Sequence, residues 1–139
     1  MSLLTQKFLL LCVLTLLSAH DVFAMHSDSF FHRTQHVNVT NFLSDNLDLT
    51  LHCKFKDDDL GVHLLHHGGN VRWGFGLSVF GKTLFFCSFQ WNDEFHRFDI
   101  YRQDRDQGVC RSCNWYILKS GPCRFNGDRS DLCFSWDNN

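Results

Sequence analysis

The sequence predicts an all-β fold, a small antiparallel β-sandwich of about eight strands stapled by disulfides. Three observations carry that expectation. Leu47, Leu49, Leu51, Cys53 and Phe55 alternate with Asp48, Thr50, His52, Lys54 and Lys56, the period of a half-buried strand. Val71, Trp73, Phe75, Leu77 and Val79 repeat the alternation against Arg72, Gly74, Gly76 and Ser78. No segment shows a convincing 3.6-residue pattern with caps, and the 15 phenylalanines and four tryptophans supply the core volume of a sandwich.

The elements follow in chain order. After Lys7 an apolar run from Phe8 to Leu17, broken only by Thr15, leads to small residues at Val22-Phe23-Ala24. This reads as a secretory signal peptide over residues 1–24, cleaved after Ala24. The run is about half the roughly 20 residues that a bilayer span needs, and no later segment is apolar enough for an anchor. Residues 25–36, polar and rich in histidine and serine, read as a flexible N-terminal arm, and residues 37–139 as a single domain. Strands are expected at Val37–Phe42, Leu47–Phe55, Val62–His66, Val71–Val79, Thr83–Trp91, Phe95–Tyr101, Cys113–Lys119, Gly121–Asn126 and Leu132–Trp136. The Thr83–Trp91 strand carries Phe85, Cys87, Phe89 and Trp91 on one side and Leu84 and Phe86 on the other, as if covered on both faces. Turn residues stand between the runs at Asn70, Gly81, Asn92-Asp93, Gly108 and Gly127-Asp128. The single proline, Pro122, suits an edge or a strand start.

Cysteine usage points to the same compartment as the leader. With Cys12 in the signal segment, Cys53, Cys87, Cys110, Cys113, Cys123 and Cys133 form an even set, read as disulfides whose pairing the spacing does not choose. Asn38-Val39-Thr40 is an N-glycosylation sequon, a surface signal on a secreted chain. The net charge is −2, with no basic stripe of the kind a phosphate backbone requires, which argues against nucleic-acid binding.

Asp57-Asp58-Asp59, the four histidines within ten residues of that run (His52, His63, His66 and His67) and Cys110-x-x-Cys113 are the constellations with chemical content. Adjacent ionised carboxylates repel, so an apolar interior holds them only with a compensating cation, whereas a solvated turn tolerates them. The run falls where the strand ending at Phe55 must reverse, with Gly61 to supply a positive φ. Calcium binding of EF-hand type fails on detail: Gly61 is one place early and Gly68, not a glutamate, stands at position twelve. His63, His66 and His67 would share one face of a helix, but on a strand His66 points away from the other two, so no metal site is expected. Cys110-x-x-Cys113 lacks the helix and βαβ setting of a redox pair and reads as structural. No nucleophile elbow, phosphate loop or zinc-protease motif is found, and Glu94 is the only glutamate.

Taken in order, "HCKFKDDDLGVHLL", "TLFFCSFQW", "HRFDIYRQDRD", "CNWYILKSGPC" and "LCFSW" resemble the plant self-incompatibility S-protein family, over about Val37 to Trp136. Asp57 to Asp59 with Gly61, the cysteines at 53, 87, 113, 123 and 133, and Trp91, Trp115 and Trp136 match its pattern. Phe55 stands where many members carry a small polar residue. The resemblance implies a small secreted disulfide-bonded β-sandwich without a known catalytic site or cofactor. In the founding members a stigma protein is the ligand of a pollen membrane protein and arrests incompatible pollen through calcium signalling and programmed death. The expected function is a secreted, non-enzymatic, ligand-like protein that binds a cell-surface receptor or an extracellular protein in cell-cell signalling, in self-incompatibility or a related reproductive or developmental role. The rivals are a secreted hydrolase such as a ribonuclease, or a defence protein. Loops on a rigid scaffold are the expected contact points, which selects three segments: Asp57, Asp58, Asp59 and Gly61; Asn92, Asp93 and Glu94; and Asp104, Arg105 and Asp106 in the loop Gln103 to Gly108.

Overall fold

The computed structural model describes residues 2–16, 33–126 and 129–136. They divide into two compact units, Met1–Arg33 and Thr34–Asn139. In the first, residues 3–16 form a helix, α1, whose apolar side chains, Phe8 and Leu11 among them, are exposed. The predicted cleavage point after Ala24 lies outside the described residues. No helix among the described residues is long and apolar enough to cross a membrane.

The second unit holds nine described strands and one short helix. The strands are β1 (Gln35–Asn41), β2 (Leu49–Phe55), β3 (Asp58–Leu65), β4 (Asn70–Phe75), β5 (Leu84–Trp91), β6 (Glu94–Arg102), β7 (Ser112–Leu118), β8 (Gly121–Asn126) and β9 (Arg129–Cys133); helix α2 (Gln103–Asp106) follows β6. A five-stranded sheet runs β4-β1-β7-β8-β9 and a four-stranded sheet runs β3-β2-β5-β6. All described pairings are antiparallel except one, β1 with β7. The fold is the expected sandwich with that one parallel ladder added.

Period-two burial builds the core. Val37 and Val39 of β1, Leu49 and Leu51 of β2, Phe89 of β5, Ile100 of β6 and Trp115 and Ile117 of β7 are all essentially inaccessible. At about 25 cal/mol per Å² of apolar surface removed from water, each such side chain contributes roughly 1.5 to 3 kcal/mol. Phe55 turns inward as its alternation predicts and stacks on Phe85 at 4.9 Å between centroids.

Several boundaries differ from the sequence reading. Strand β1 begins at Gln35, inside the expected arm, because His36 donates its N–H to Arg111 O at 2.9 Å and pairs with Ser112 and Gly74. Strand β3 begins at Asp58, so the acidic run is mostly strand and the reversal is only Lys56-Asp57. Strand β4 stops at Phe75, where its partner β1 also starts, and Val79 is not inward but 77% exposed. The outer side of β5 is open: Leu84 and Phe86 are 37% and 41% exposed, against an expectation of cover on both faces. The last strand ends at Cys133, and Phe134 and Trp136 leave the sheet to pack on the core.

The disulfides pair Cys53 with Cys87, Cys110 with Cys113 and Cys123 with Cys133. The first joins register partners on β2 and β5, the last joins register partners on β8 and β9. The Cys110–Cys113 bridge closes the short connection into β7. Closing 34 residues restrains the unfolded chain by about 4 kcal/mol and closing three by about 2 kcal/mol. None of the three bridges crosses from one sheet to the other.

Candidate functional site

The antiparallel register of the four-stranded sheet sorts the three predicted segments. Lys54 pairs with Phe86, and Leu84 pairs with Arg102, so the β2–β3 turn, the start of β5 and the end of β6 lie at one end of the sheet. Phe75 meets Phe85 at 4.6 Å and brings the end of β4 there as well. The Lys56-Asp57 turn, the connection 76–83 and helix α2 are therefore gathered at one end. Asn92-Asp93, the two-residue turn between Trp91 and Glu94, is at the opposite end.

Within the acidic turn, Lys56 takes a positive φ of 50°, and Asp57 and Asp58 stand exposed. Asp59 is tied down: its Oδ1 accepts from Gly61 N–H at 2.8 Å and lies 2.6 Å from His52 Nε2. The Gly61 N–H, with His52 second, holds the Asp59 carboxyl below its ordinary range. Gly61 adopts φ 85°, the left-handed conformation for which its residue type was singled out.

The Gln103 to Gly108 segment is a helical turn and not a charged loop, and its charges divide. Asp104 is exposed and held below its ordinary range by hydrogen bonds from the Arg102 guanidinium, the shorter at 2.7 Å. Asp106 is 0% exposed. Its carboxylate accepts from Arg102 N–H at 2.9 Å, from Arg105 Nε and Nη2 at 2.8 Å each, and from Arg124 Nη1 on β8. Both guanidiniums lie over the ring of the fully buried Trp115, and Arg105 also faces Phe98 and Phe134. Arg105 and Asp106 thus belong to a buried ion cluster and leave Asp104 as the exposed member of the predicted trio Asp104, Arg105 and Asp106. The hydroxyl of Tyr101, 0% exposed, is pushed up to about 12 by burial, with the Asp106 charge second.

The connection 76–83 carries a feature that the alternation concealed. Ser78 N–H donates to Thr83 Oγ1 at 2.8 Å, Gly81 N–H to Ser78 O at 3.1 Å, and Gln103 Nε2 to Ser78 O at 3.0 Å. Thr83 N–H donates to Gln103 Oε1 at 3.1 Å and Gln103 N–H to Thr83 O at 2.9 Å. Thr83 and Gln103 are buried, yet the loop they fasten exposes Val79 at 77% and Phe80 at 86%. The glycines at 76 and 81 on either side of Leu77-Ser78-Val79-Phe80 were the signal in the sequence that a loop, and not more strand, stood here.

A profile described as plant self-incompatibility protein S1 matches residues 36–136. The chain belongs to this family. Two Arabidopsis thaliana relatives illustrate the distance within it. S-protein homolog 2 is 47% identical over 108 residues, 73% of this chain and 67% of that protein. S-protein homolog 29 is 44% identical over 128 residues, 90% and 93% of the two chains. A solved structure of a self-incompatibility protein homologue, from a family described as small, highly stable, secreted proteins from plants, aligns with a TM-score of 0.56. Its sequence identity is 18%, over 75% of this chain and 95% of that one, and it shares the fold.

On this S1-family fold the remaining predicted residues fall elsewhere. Asn92 adopts φ 48°, and Glu94 holds His96 Nε2 at 2.9 Å in a separate exposed pair. Asn38 is half-buried in the middle of β1, in register with Arg72 and Asn114, on the outer face of the five-stranded sheet. The histidines of the initial cluster face separate partners: His63 Nε2 lies 3.0 Å from Leu60 O, His66 Nδ1 2.7 Å from Asp48 Oδ1, and His67 Nδ1 2.7 Å from Leu43 O. On the open face of the four-stranded sheet His52, Lys54, Phe86, Phe95 and Asp99 line a shallow groove of about 650 Å³.

Proposed function

We propose that this S1-family chain is a secreted, non-enzymatic ligand that binds a cell-surface or extracellular protein in cell-cell signalling between plant cells. The observation that supports it best is the gathering of the β2–β3 turn, the 76–83 connection and α2 at one end of a disulfide-bonded sandwich. That arrangement presents loops on a scaffold too rigid to collapse around them, the usual geometry of recognition by a sandwich. The alternating charges of Asp57, Asp58 and Asp104 with Lys56 and Arg102 favour selection among partners over raw affinity. A glycan on Asn38 belongs to the same reading and would stand on the other sheet, away from that end.

The test is the binding of the fluorescently labelled, disulfide-bonded protein to protoplasts of the plant that produces it. Saturable binding that trypsin treatment of the cells removes is the expected result. Absence of saturable binding, or turnover of RNA or glycans by the purified protein, would sink the reading.

A further inference from the structure

The loop between β4 and β5 combines two properties that a merely connecting segment does not need together. Its backbone is fastened from below by the buried Thr83 and Gln103, and its tip holds Val79 and Phe80 out in water. Exposing a phenylalanine on a chain end or a loose loop carries little meaning; exposing it on a loop whose main chain is bound at Ser78, Gly81 and Thr83 is preorganisation. A rigid aromatic anchor loses little conformational freedom on docking and removes about 150 to 250 Å² from water when a pocket takes it.

From this geometry we infer that Val79-Phe80 is the anchor by which the protein docks, inserting Phe80 into an apolar pocket on a protein partner. The inference rests on the ligand reading above and names the surface that serves it. The surroundings choose a protein over a lipid surface. The exposed ionic side chains of the segments gathered here are Lys56, Lys82 and Arg102 against Asp57, Asp58, Asp59 and Asp104, three cations and four anions. Loops that enter anionic membranes are collared by net positive charge, whereas an apolar centre inside a rim of mixed sign is the anatomy of a protein interface. Gln103 and Thr83 are then positioning residues, and the run Asp104 to Asp106 contributes by holding α2, and hence Gln103, in place.

The protoplast assay tests this with variants of the whole disulfide-bonded protein. Val79→Ser/Phe80→Ser should lower affinity at least tenfold with an unchanged melting curve. Phe80→Leu should retain most of the binding, and Val62→Ser/Leu64→Ser, a loss of two exposed apolar side chains on the open face of the four-stranded sheet, should bind as wild type. Wild-type affinity in the double variant would overturn the inference and leave the ligand reading standing. No saturable binding by the wild type would remove both. Two other outcomes would also overturn it: Phe80-dependent binding to vesicles of phosphatidylserine and phosphatidylcholine that survives on trypsin-treated cells, and Phe80-dependent dimerisation in sedimentation at micromolar concentration.

Discussion

Asp57-Asp58-Asp59 and Asp104-Arg105-Asp106 look alike in the sequence, two short charged runs next to turns, and the fold treats them oppositely. The first lies on an open hairpin where water screens its repulsion, and only Asp59 is tied, to a backbone N–H and a histidine. The second is wound into one helical turn, which rotates Asp104 outward and Asp106 beneath Arg105 and Arg124. The difference lies in the partner. Asp106 has a cation adjacent in sequence and a second on β8, both over an aromatic ring, so burial is compensated. Among the described residues nothing comparable faces Asp57 or Asp58, and they stay exposed.

The largest break in this contrast comes from Asp106→Ala, which leaves two guanidiniums without their carboxylate and should lower unfolding stability by about 3 to 5 kcal/mol. Asp58→Ala should stay within about 0.5 kcal/mol in the same urea titration. Equal effects would erase the distinction between the two runs.

Tyr101→Phe sharpens the contrast by pH. The folded phenol titrates near 12, above its unfolded value of 10, so the unfolded chain releases its proton first and stability falls as pH rises from about 10 towards 12. Phenylalanine should remove that part of the alkaline loss, visible as a shallower fall in melting temperature across the window. Below pH 9 the variant should match or slightly exceed wild type, since the Tyr101 hydroxyl has no hydrogen-bond partner among the described residues.

On the exposed side, Lys56→Asn should stabilise by about 0.5 to 1 kcal/mol, because asparagine tolerates the left-handed backbone that Lys56 adopts. The equivalent position in the opposite turn already carries Asn92 at φ 48°. Asp59→Asn should have the smallest effect and an acid-dependent one. The folded carboxyl is depressed, so its stabilisation is present above the unfolded value near 3.8 and lost as pH falls through the lower folded value. The variant and the wild type should therefore converge as the pH is taken progressively below 3.8, measured by acid unfolding.

The strands were legible because period-two alternation and core burial are the same physical fact seen twice. Leu49, Leu51 and Cys53 face inward as read, and the sandwich follows. The same rule misled at Val79, because alternation records side-chain type and not whether a partner strand continues; among the described residues β1 starts at Gln35, opposite Phe75, and no strand residue pairs with Val79. The fate of Asp106 was hidden for a different reason. Its second cation, Arg124, is distant in sequence and stands on the other sheet, so the two meet only when the sheets face each other. The even cysteine count announced disulfides without saying which, and the parallel ladder between β1 and β7 had no local signature at all.

The confinement of every disulfide to one sheet or one short connection bears on how the chain is made. Each bridge can close inside a partly assembled sheet without waiting for the sandwich to shut, so oxidation and final packing are separable steps. The one parallel ladder, β1 with β7, joins strands far apart in the sequence within a single sheet, a contact with a high loop-closure cost. An oxidised chain therefore still has to bring its two layers together, a step that its disulfides neither fix nor forbid.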